Sequence, residues 1–233
     1  MNLTSLMAAA VIFAAGIGSA GYFVGDGIAE RTRGARVISV KGLSEKEVPA
    51  SIAIWDIAYS ATGNELPAVD QQLAASTSAV IEFLRSAGFE EKDMAVQPPS
   101  VRDVSIEPRE KDVPPPPERY RAQRSVLLRT SKVDAIKPAL ANLSQLITKG
   151  ILLSGQCHPE YIYNQLNEIK PGMIEEATKN ARIAGEQFSR DSQTKLGKLK
   201  SAAQGWFQIE NRDAVTPERK VVRVVVDVEY EVN

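Results

Sequence analysis

The stretch NEIKPGMIEEATKNARIAGEQFSR, residues 167–190, decides the fold, because it predicts the longest helix of the chain. Pro171 suits a first helical turn, where a missing N–H costs nothing, and Glu175 and Glu176 complement the positive end of the helix dipole. One face carries residues at three- and four-residue spacing: Ile174, Ala177, Ala181, Ala184 and Phe188. Because most of these are small, we expect this face to lie close against a sheet or another helix, and the stripe indicates packing without chemistry.

Apolar residues recur at helical spacing in two further stretches, residues 66–87 and 132–149, and a glycine that suits a helix end follows each. Alternating or β-branched runs predict the strands. They cover residues 37–40, 51–60, 94–106 with a break at Pro98-Pro99, 119–130, 151–154, 160–165, 199–209 and 220–232. Residues 108–117, with four consecutive prolines, predict an exposed loop.

Strands outnumber helices in this order, and hairpin-like pairs recur. The pattern therefore predicts an α+β fold with a mixed, mostly antiparallel sheet packed by about three helices. A strand-helix-strand-strand order occurs twice, in residues 51–130 and 151–232. We hold an internal duplication of this β-α-β-β unit as a hypothesis.

The N-terminal segment, residues 1–25, carries no charged side chain, and residues 6–24 are apolar or small throughout. At about 1.5 Å per residue this length just crosses a hydrocarbon core of about 30 Å, which predicts a transmembrane anchor. Gly18-Ser19-Ala20 also suits a signal-peptide cleavage site, so a cleaved leader stays open. Residues 26–35 are predicted as a linker and residues 36–233 as the folded domain.

Topology is ambiguous from charge alone. Lys and Arg are absent before the apolar segment, whereas Arg31, Arg33 and Arg36 follow it. The positive-inside rule would by itself keep the C-terminal part in the cytoplasm.

The chemistry-bearing residues are few. The net charge of −1 favours no nucleic-acid partner, and the single cysteine, Cys157, excludes an intrachain disulfide. No metal-ligand spacing and no Gly-rich phosphate loop is present, so we predict no catalytic, cofactor-binding or metal residue. Cys157 and His158 are the one candidate for a catalytic Cys–His dyad. Adjacent residues on an extended chain point to opposite faces, however, so direct pairing of the two side chains is unfavourable. Arginines on one face of the strand at 119–130 suit either an anion site or a solvated surface.

Several stretches resemble the bacterial SIMPL-domain proteins. Val37-Ile-Ser-Val-Lys-Gly42 and Glu47-Val-Pro-Ala50 resemble the opening of that domain, and residues 167–188 and 221–230 resemble its later parts. The likeness covers residues 36–233, and Gly21-Tyr22-Phe23-Val24-Gly25 is similar to the anchor end of one subgroup. The resemblance implies an α+β fold in an envelope protein, with rings in some members and a link to oxidative-stress tolerance in others. It implies no catalytic residues, because the activity of the family is unassigned.

Together these observations predict a non-enzymatic envelope protein. We expect residues 6–24 to hold it in the inner membrane as a single pass, with the C-terminal domain in the periplasm, or a cleaved leader to release a soluble periplasmic domain. The domain is expected to self-associate as a homo-oligomer or to bind a protein partner. The alternative is a hydrolase or small-ligand-binding protein with a cleft near Cys157, His158 and the strand at 119–130.

Overall fold

The computed structural model describes residues 36–106, 114, 116–155 and 157–233. The predicted membrane segment at 6–24, the linker at 26–35 and most of the proline-rich loop at 108–117 lie outside these residues. Within the described ranges, no helix is long and apolar enough to cross a membrane.

The described residues form ten strands and four α-helices. The strands are β1 (Val37–Pro49), β2 (Ile52–Gly63), β3 (Met94–Val96), β4 (Ser100–Asp103), β5 (Tyr120–Thr130), β6 (Leu152–Leu153), β7 (Glu160–Ile162), β8 (Leu196–Gln204), β9 (Gln208–Asn211) and β10 (Arg219–Val232). The helices are α1 (Leu66–Ser86), α2 (Val133–Ala141), α3 (Ser144–Thr148) and α4 (Leu166–Asp191), and a 3₁₀ turn covers Glu91–Asp93.

The strands form two sheets, where the sequence predicted one. In the first sheet the order is β1–β10–β8, and β9 also pairs with β10. In the second the order is β3–β5–β2–β6, with β4 beside β5 and β7 beside β2. The registers of β8 and β9 on β10, and those throughout the second sheet, are antiparallel. The α+β class and the antiparallel pairing are therefore confirmed.

The chain divides into two compact units. Among the described residues, the first unit contains those up to Ser44, together with Ile174–Gly205 and Val225–Asn233, and the second contains those of Glu45–Met173 and Trp206–Val224. By these bounds β1, β10 and α4 each contribute residues to both units.

The core of the second unit lies between α1 and the second sheet. One face of β2 is fully buried at Trp55, Ile57 and Tyr59, whereas the opposite face is only half-buried or exposed. Most of the predicted α1 stripe is buried as well, but Leu66 at its start is 45% exposed. Each fully buried aliphatic or aromatic side chain contributes about 1.5–3 kcal/mol. Gly88, with φ +90°, ends the α1 segment as predicted.

The predicted helix at 132–149 is two helices, which corrects the sequence prediction. Pro138 lies inside α2 and cannot donate the bond to the fourth residue before it. At the break the amides of Asn142 and Leu143 donate to Ala139 and Leu140, three residues back instead of four. The apolar stripe kept its helical period across this tightened turn, so the hydrophobic spacing gave no sign of it, and Pro138 was the available signal.

In the first unit, α4 packs against β1 through small residues, as the stripe predicted. The buried residues recur at strict four-residue spacing: Ala177, Ala181, Gly185 and Ser189. A Cβ on Gly42 of β1 would lie 1.8 Å from the Ala177 carbonyl oxygen and 2.8 Å from the Ala181 Cβ. Only a glycine therefore allows this approach.

Three details of α4 differ from the prediction. The helix begins at Leu166, so Pro171 is its sixth residue and not part of its first turn. Ala184 and Ile174 are half-buried, and Phe188 is 58% exposed. The residues at strict four-residue spacing take the inward positions: Ala177 and Ala181 lie against Gly42 of β1, and Gly185 lies against Leu196 and Tyr230.

The C-terminal strand is confirmed, with its row of valines and Tyr230 buried. The strand predicted at 199–209 is instead two strands, β8 and β9, separated by residues 205–207. At the start of this interruption the Gly205 amide donates to the Val225 carbonyl oxygen at 2.9 Å, and only a glycine fits there, because a Cβ would lie 2.7 Å from that oxygen.

The two sheets share a pairing pattern that bears on the duplication hypothesis. β5 has β2 on one side and the consecutive short strands β3 and β4 on the other, and β10 likewise has β1 on one side and β8 and β9 on the other. In the proposed duplication, the strand at residues 151–154 would open the second repeat. It pairs instead with β2 in the second sheet, and in the first sheet β1 takes the corresponding position. The hypothesis stays a prediction that superposition of the two sheets would test.

Candidate functional site: the β8 edge

β8 is an edge strand of the first sheet. It pairs with β10 on one side, from Gln204 opposite Val226 to Leu196 opposite Val232, and no described strand pairs with its other side. Such an edge presents unpaired backbone N–H and C=O groups, which can accept a further strand. We call Leu196–Gln204 the β8 edge.

The two halves of the β8 edge differ. Its register on β10 shifts twice between Ser201 and Leu196, whereas Ser201–Gln204 pairs regularly. Lys198 and Lys200 lie in the irregular half. Register irregularities and lysines both discourage strand addition, so the edge is protected at its start and open at its end.

The open half is small, uncharged and exposed. Ser201, Ala202, Ala203 and Gln204 are all solvent-exposed, and so are the three residues before them. On the side facing β10, the Ser201 hydroxyl donates to Glu229 Oε2 at 2.9 Å, and Ala203 lies opposite Asp227. A neighbouring strand could therefore approach here without displacing a bulky side chain.

A groove of about 870 Å³ runs between α4 and β8 in the first unit. Leu196, Leu199 and Tyr230 provide its apolar side, and Leu199 is 57% exposed. A Cβ on Gly185 of α4 would come within 3.3–3.5 Å of Leu196 and Tyr230, so the helix lies close to these two lining residues.

The α4 side of the groove is charged. Glu175, Lys179, Arg182 and Glu186 line it, and Arg182 Nε donates to Glu186 Oε1 at 3.1 Å. An apolar floor beside a wall carrying both signs of charge suits an amphipathic protein segment better than a small substrate. No cysteine, histidine or serine nucleophile lines the groove.

Cys157 and His158 form no joint site in the structure. The thiol lies against the carbonyl oxygens of Ala58 and Ser154, at 3.9 and 3.8 Å, and burial raises its pKa. A raised pKa disfavours the reactive thiolate. His158 is exposed, and no hydrogen bond joins it to the thiol within the described chain. The Cys157 carbonyl instead accepts the Trp55 indole N–H at 2.9 Å.

The arginines of β5 and the residue before it do not converge either. Arg119 pairs with Asp103 at 2.9 Å and stacks over the Tyr120 ring at 4.9 Å. Arg124 lies on the opposite face of the sheet, where its Nη1 reaches the Thr77 hydroxyl at 3.4 Å. In this cluster of three, Tyr59 and Thr77 are buried in the second unit, and Arg124 is half-buried beside them. In the described residues, no group of three or more His, Cys, Asp or Glu side chains could hold a metal ion.

Sequence reasoning predicted β8 as a strand but missed it as an edge. One signal was available: residues 192–209 contain three lysines and no acidic residue. The aromatic residues that follow belong to the second unit, where Trp206 is 93% exposed and Lys170 Nζ lies 5.8 Å from the Phe207 ring centroid.

The fold and the site define an α+β domain of two antiparallel sheets with an exposed strand edge and no assembled reactive centre among the described residues. The model of the SIMPL family, described as a protein of unknown function (DUF541), matches residues 38–230. The chain therefore belongs to the SIMPL-domain family, as the resemblance implied. No curated protein matches the chain.

Proposed function

We propose that this chain is a non-enzymatic envelope protein whose SIMPL domain associates with a protein chain along the β8 edge. The observation that carries the proposal is the regular, uncharged and exposed stretch Ser201–Gln204, next to the apolar side of the α4–β8 groove. An added strand gains backbone hydrogen bonds from the edge, and the groove gives alternate side chains a place to bind. The associating chain is either another copy or a different protein.

The cellular location is part of the same proposal. Residues 6–24 hold the protein in the inner membrane as a single pass, and the SIMPL domain lies in the periplasm. Support comes from the uncharged N-terminal 25 residues and from the resemblance to bacterial SIMPL-domain proteins, which implies an envelope protein. A part in stress tolerance rests on the family likeness alone.

Site-specific photocrosslinking tests the association. A photoreactive amino acid replaces Ser201 or Ala203 in the full chain, in cells, and cross-linked products are identified by mass spectrometry. We expect one and the same protein, or a second copy, at both positions. The control places the photoreactive residue at Lys137, which is exposed on α2. Equal capture at Lys137, or no capture at either β8 position, would contradict the proposal.

A compartment-sensitive reporter fused after Asn233 tests the location. Alkaline phosphatase fused there is expected to be active, because it folds only after export, while a fluorescent protein that matures in the cytoplasm stays dark. The opposite pair of results would place the domain in the cytoplasm, as the arginines after the apolar segment would by themselves favour.

The hydrolase alternative has its own test. With the thiol packed against two carbonyl oxygens and His158 exposed, the double variant Cys157→Ala, His158→Ala is expected to keep every phenotype and every binding activity of the parent chain. Loss of an activity in this variant, with an unchanged circular dichroism spectrum, would favour the alternative.

A further inference from the structure

A second groove lies within the second unit, between the start of α1 and the second sheet. Its volume is about 340 Å³, and its lining comes from α1, β4 and β5. The residues that matter here are Leu66, Val69, Asp70, Leu73, Val101 and Ala122. Because ligand pockets measure about 300–1,000 Å³, this volume suits one small molecule better than a protein segment.

Small side chains on the sheet leave this space open. Val101 of β4 lies opposite Ala122 of β5, and Ala122 lies opposite Ala61 of β2. Directly opposite residues share a face of the sheet, so the three form one row under the start of α1. The next pair on the same face, Tyr59 and Arg124, is much larger. The two alanines supply one methyl group each, which does not fill the space beneath the helix.

The groove has a buried apolar floor and an apolar rim that faces water. Val69, Leu73 and Ala122 are almost fully buried, whereas Leu66 and Val101 are 45% and 48% exposed. An aliphatic chain lying in the groove would remove this surface from water. Each methylene group that it buries is expected to raise the affinity about fourfold.

The charge at the groove favours a cation. Among the described lining residues, Asp70 is the only one with a charge, and its side chain is exposed. No ion pair or side-chain hydrogen bond joins it to another described residue. The start of α1 carries a partial charge of about +0.5, and the side chain of Glu65 does not cap it. The full negative charge of Asp70 is the larger of the two, so a positive ligand is preferred.

We propose that this groove binds a small aliphatic amine. Its chain lies on Val69, Leu73 and Ala122, and its ammonium group pairs with Asp70. The site goes beyond the association at the β8 edge and does not depend on it, because the described lining residues all belong to the second unit.

Photoaffinity labelling tests the site in the full chain, embedded in nanodiscs of zwitterionic lipid. The probe is an eight-carbon alkylamine that carries a diazirine, and mass spectrometry maps the labelled residues. We expect label within residues 66–73 and at Val101. Leu152 of β6 is the control for adsorption without a site, because it is 60% exposed and apolar. Little label is expected there.

Competition at known aqueous concentrations identifies the class of ligand. Octylamine is expected to displace the probe at a concentration about 15-fold below that of hexylamine, because it has two more methylene groups to bury. Octanol lacks the ammonium group and is expected to require about two- to fivefold more than octylamine, as for one exposed ion pair. Octanoate, which carries the same sign of charge as Asp70, is expected to require still more.

Two variants separate the charge from the apolar surface. Asp70→Asn keeps the size of the side chain and is expected to make octylamine and octanol equally effective. Glu82→Gln, at an exposed acid farther along α1, is the matched control and is expected to keep the preference for octylamine. Val101→Lys places an ammonium group at the rim and is expected to abolish labelling. Circular dichroism checks the fold of each variant.

The opposite results would overturn the proposal. If octanoate displaces the probe as well as octylamine does, the ligand is not an amine. If Leu152 and Val101 are labelled equally, or if neither is labelled, the groove is not a binding site. If octylamine keeps its advantage in Asp70→Asn, its ammonium group does not pair with Asp70. The competition in the parent chain decides between amine and acid even where a variant fails to fold.

Discussion

Gly42 is the residue where the packing of the first unit is tightest. In Gly42→Ala the new Cβ would meet the Ala177 carbonyl oxygen at 1.8 Å, and a backbone atom cannot move aside as a side chain can. We expect a loss of about 3 kcal/mol in the free energy of unfolding, at the upper end for overpacked sites. Urea denaturation measures it.

Gly172→Ala is the matched control, because a Cβ at this exposed position in α4 meets nothing within 4 Å. It is expected to stabilise by about 0.5–1 kcal/mol through helix propensity. If Gly42→Ala is as well tolerated as Gly172→Ala, the contact between β1 and α4 is looser than described.

Replacement of the two tryptophans of the second unit is expected to change stability by very different amounts. Trp55 is fully buried and donates to the Cys157 carbonyl, so Trp55→Ala is expected to cost about 3–5 kcal/mol. Trp206 is 93% exposed, so Trp206→Ala is expected to change stability by less than about 0.5 kcal/mol. Urea unfolding of each variant compares them. A large loss from Trp206→Ala would show that its ring is buried in the associated protein.

A local turn lowers the pKa of the Asp213 carboxyl group. Its carboxylate accepts hydrogen bonds from the Thr216 hydroxyl and amide and from Arg212, which hold its pKa well below the usual range. Because the pKa in the folded state lies below the unfolded value near 3.8, the ionised carboxyl group stabilises the folded state at pH values above 3.8. This stabilisation is lost as the pH falls through the folded-state pKa. We therefore expect Asp213→Asn to destabilise at pH 7 but to unfold less steeply than the parent below about pH 4. Equal acid sensitivity in thermal melts would contradict this.

At the scale of elements, α4 contains an internal weakness. Pro171, its sixth residue, lacks the N–H that would donate to Asn167, and its side chain is exposed. Pro171→Ala restores that donor and is expected to raise the free energy of unfolding by about 2 kcal/mol. A loss of stability in chemical denaturation would mean instead that the packing of α4 depends on a bend at the proline.

The sequence predicted which stretches form helices and strands better than it predicted which of their faces point inward. The alternation in β2 and β10 matched the buried rows because a half-buried strand has a strict period of two. In α4 several apolar and small residues could have formed the inward face. The contact with Gly42 shows that the row through Ala177 and Ala181 faces β1. The break between α2 and α3 was missed because the apolar spacing continues across it.

The position of β8 at the edge of its sheet could not be predicted from the sequence, for a related reason. Residues 199–209 have the composition of a strand, but which strand of a sheet lies outermost depends on pairing between distant segments. Lysines without acidic neighbours indicate an edge only once the pairing is known.

For the whole molecule, shared elements predict cooperative unfolding. β1, β10 and α4 each run through both units, so neither unit contains all the backbone of its own strands and helix. We expect one transition in urea, with far-ultraviolet circular dichroism and tryptophan fluorescence superimposed. Both tryptophans lie in the second unit, so a separate second step in circular dichroism alone would indicate that the first unit unfolds independently.

The amide of Val232 donates to the Arg36 carbonyl oxygen at 2.8 Å, which makes the beginning and the end of the folded body neighbours. A protein fused behind Asn233 would consequently lie close to Arg36, the first described residue. A bridge of a few residues between Arg36 and Asn233 would therefore close the backbone of the described domain into a ring, so that new chain ends could be opened in a surface loop.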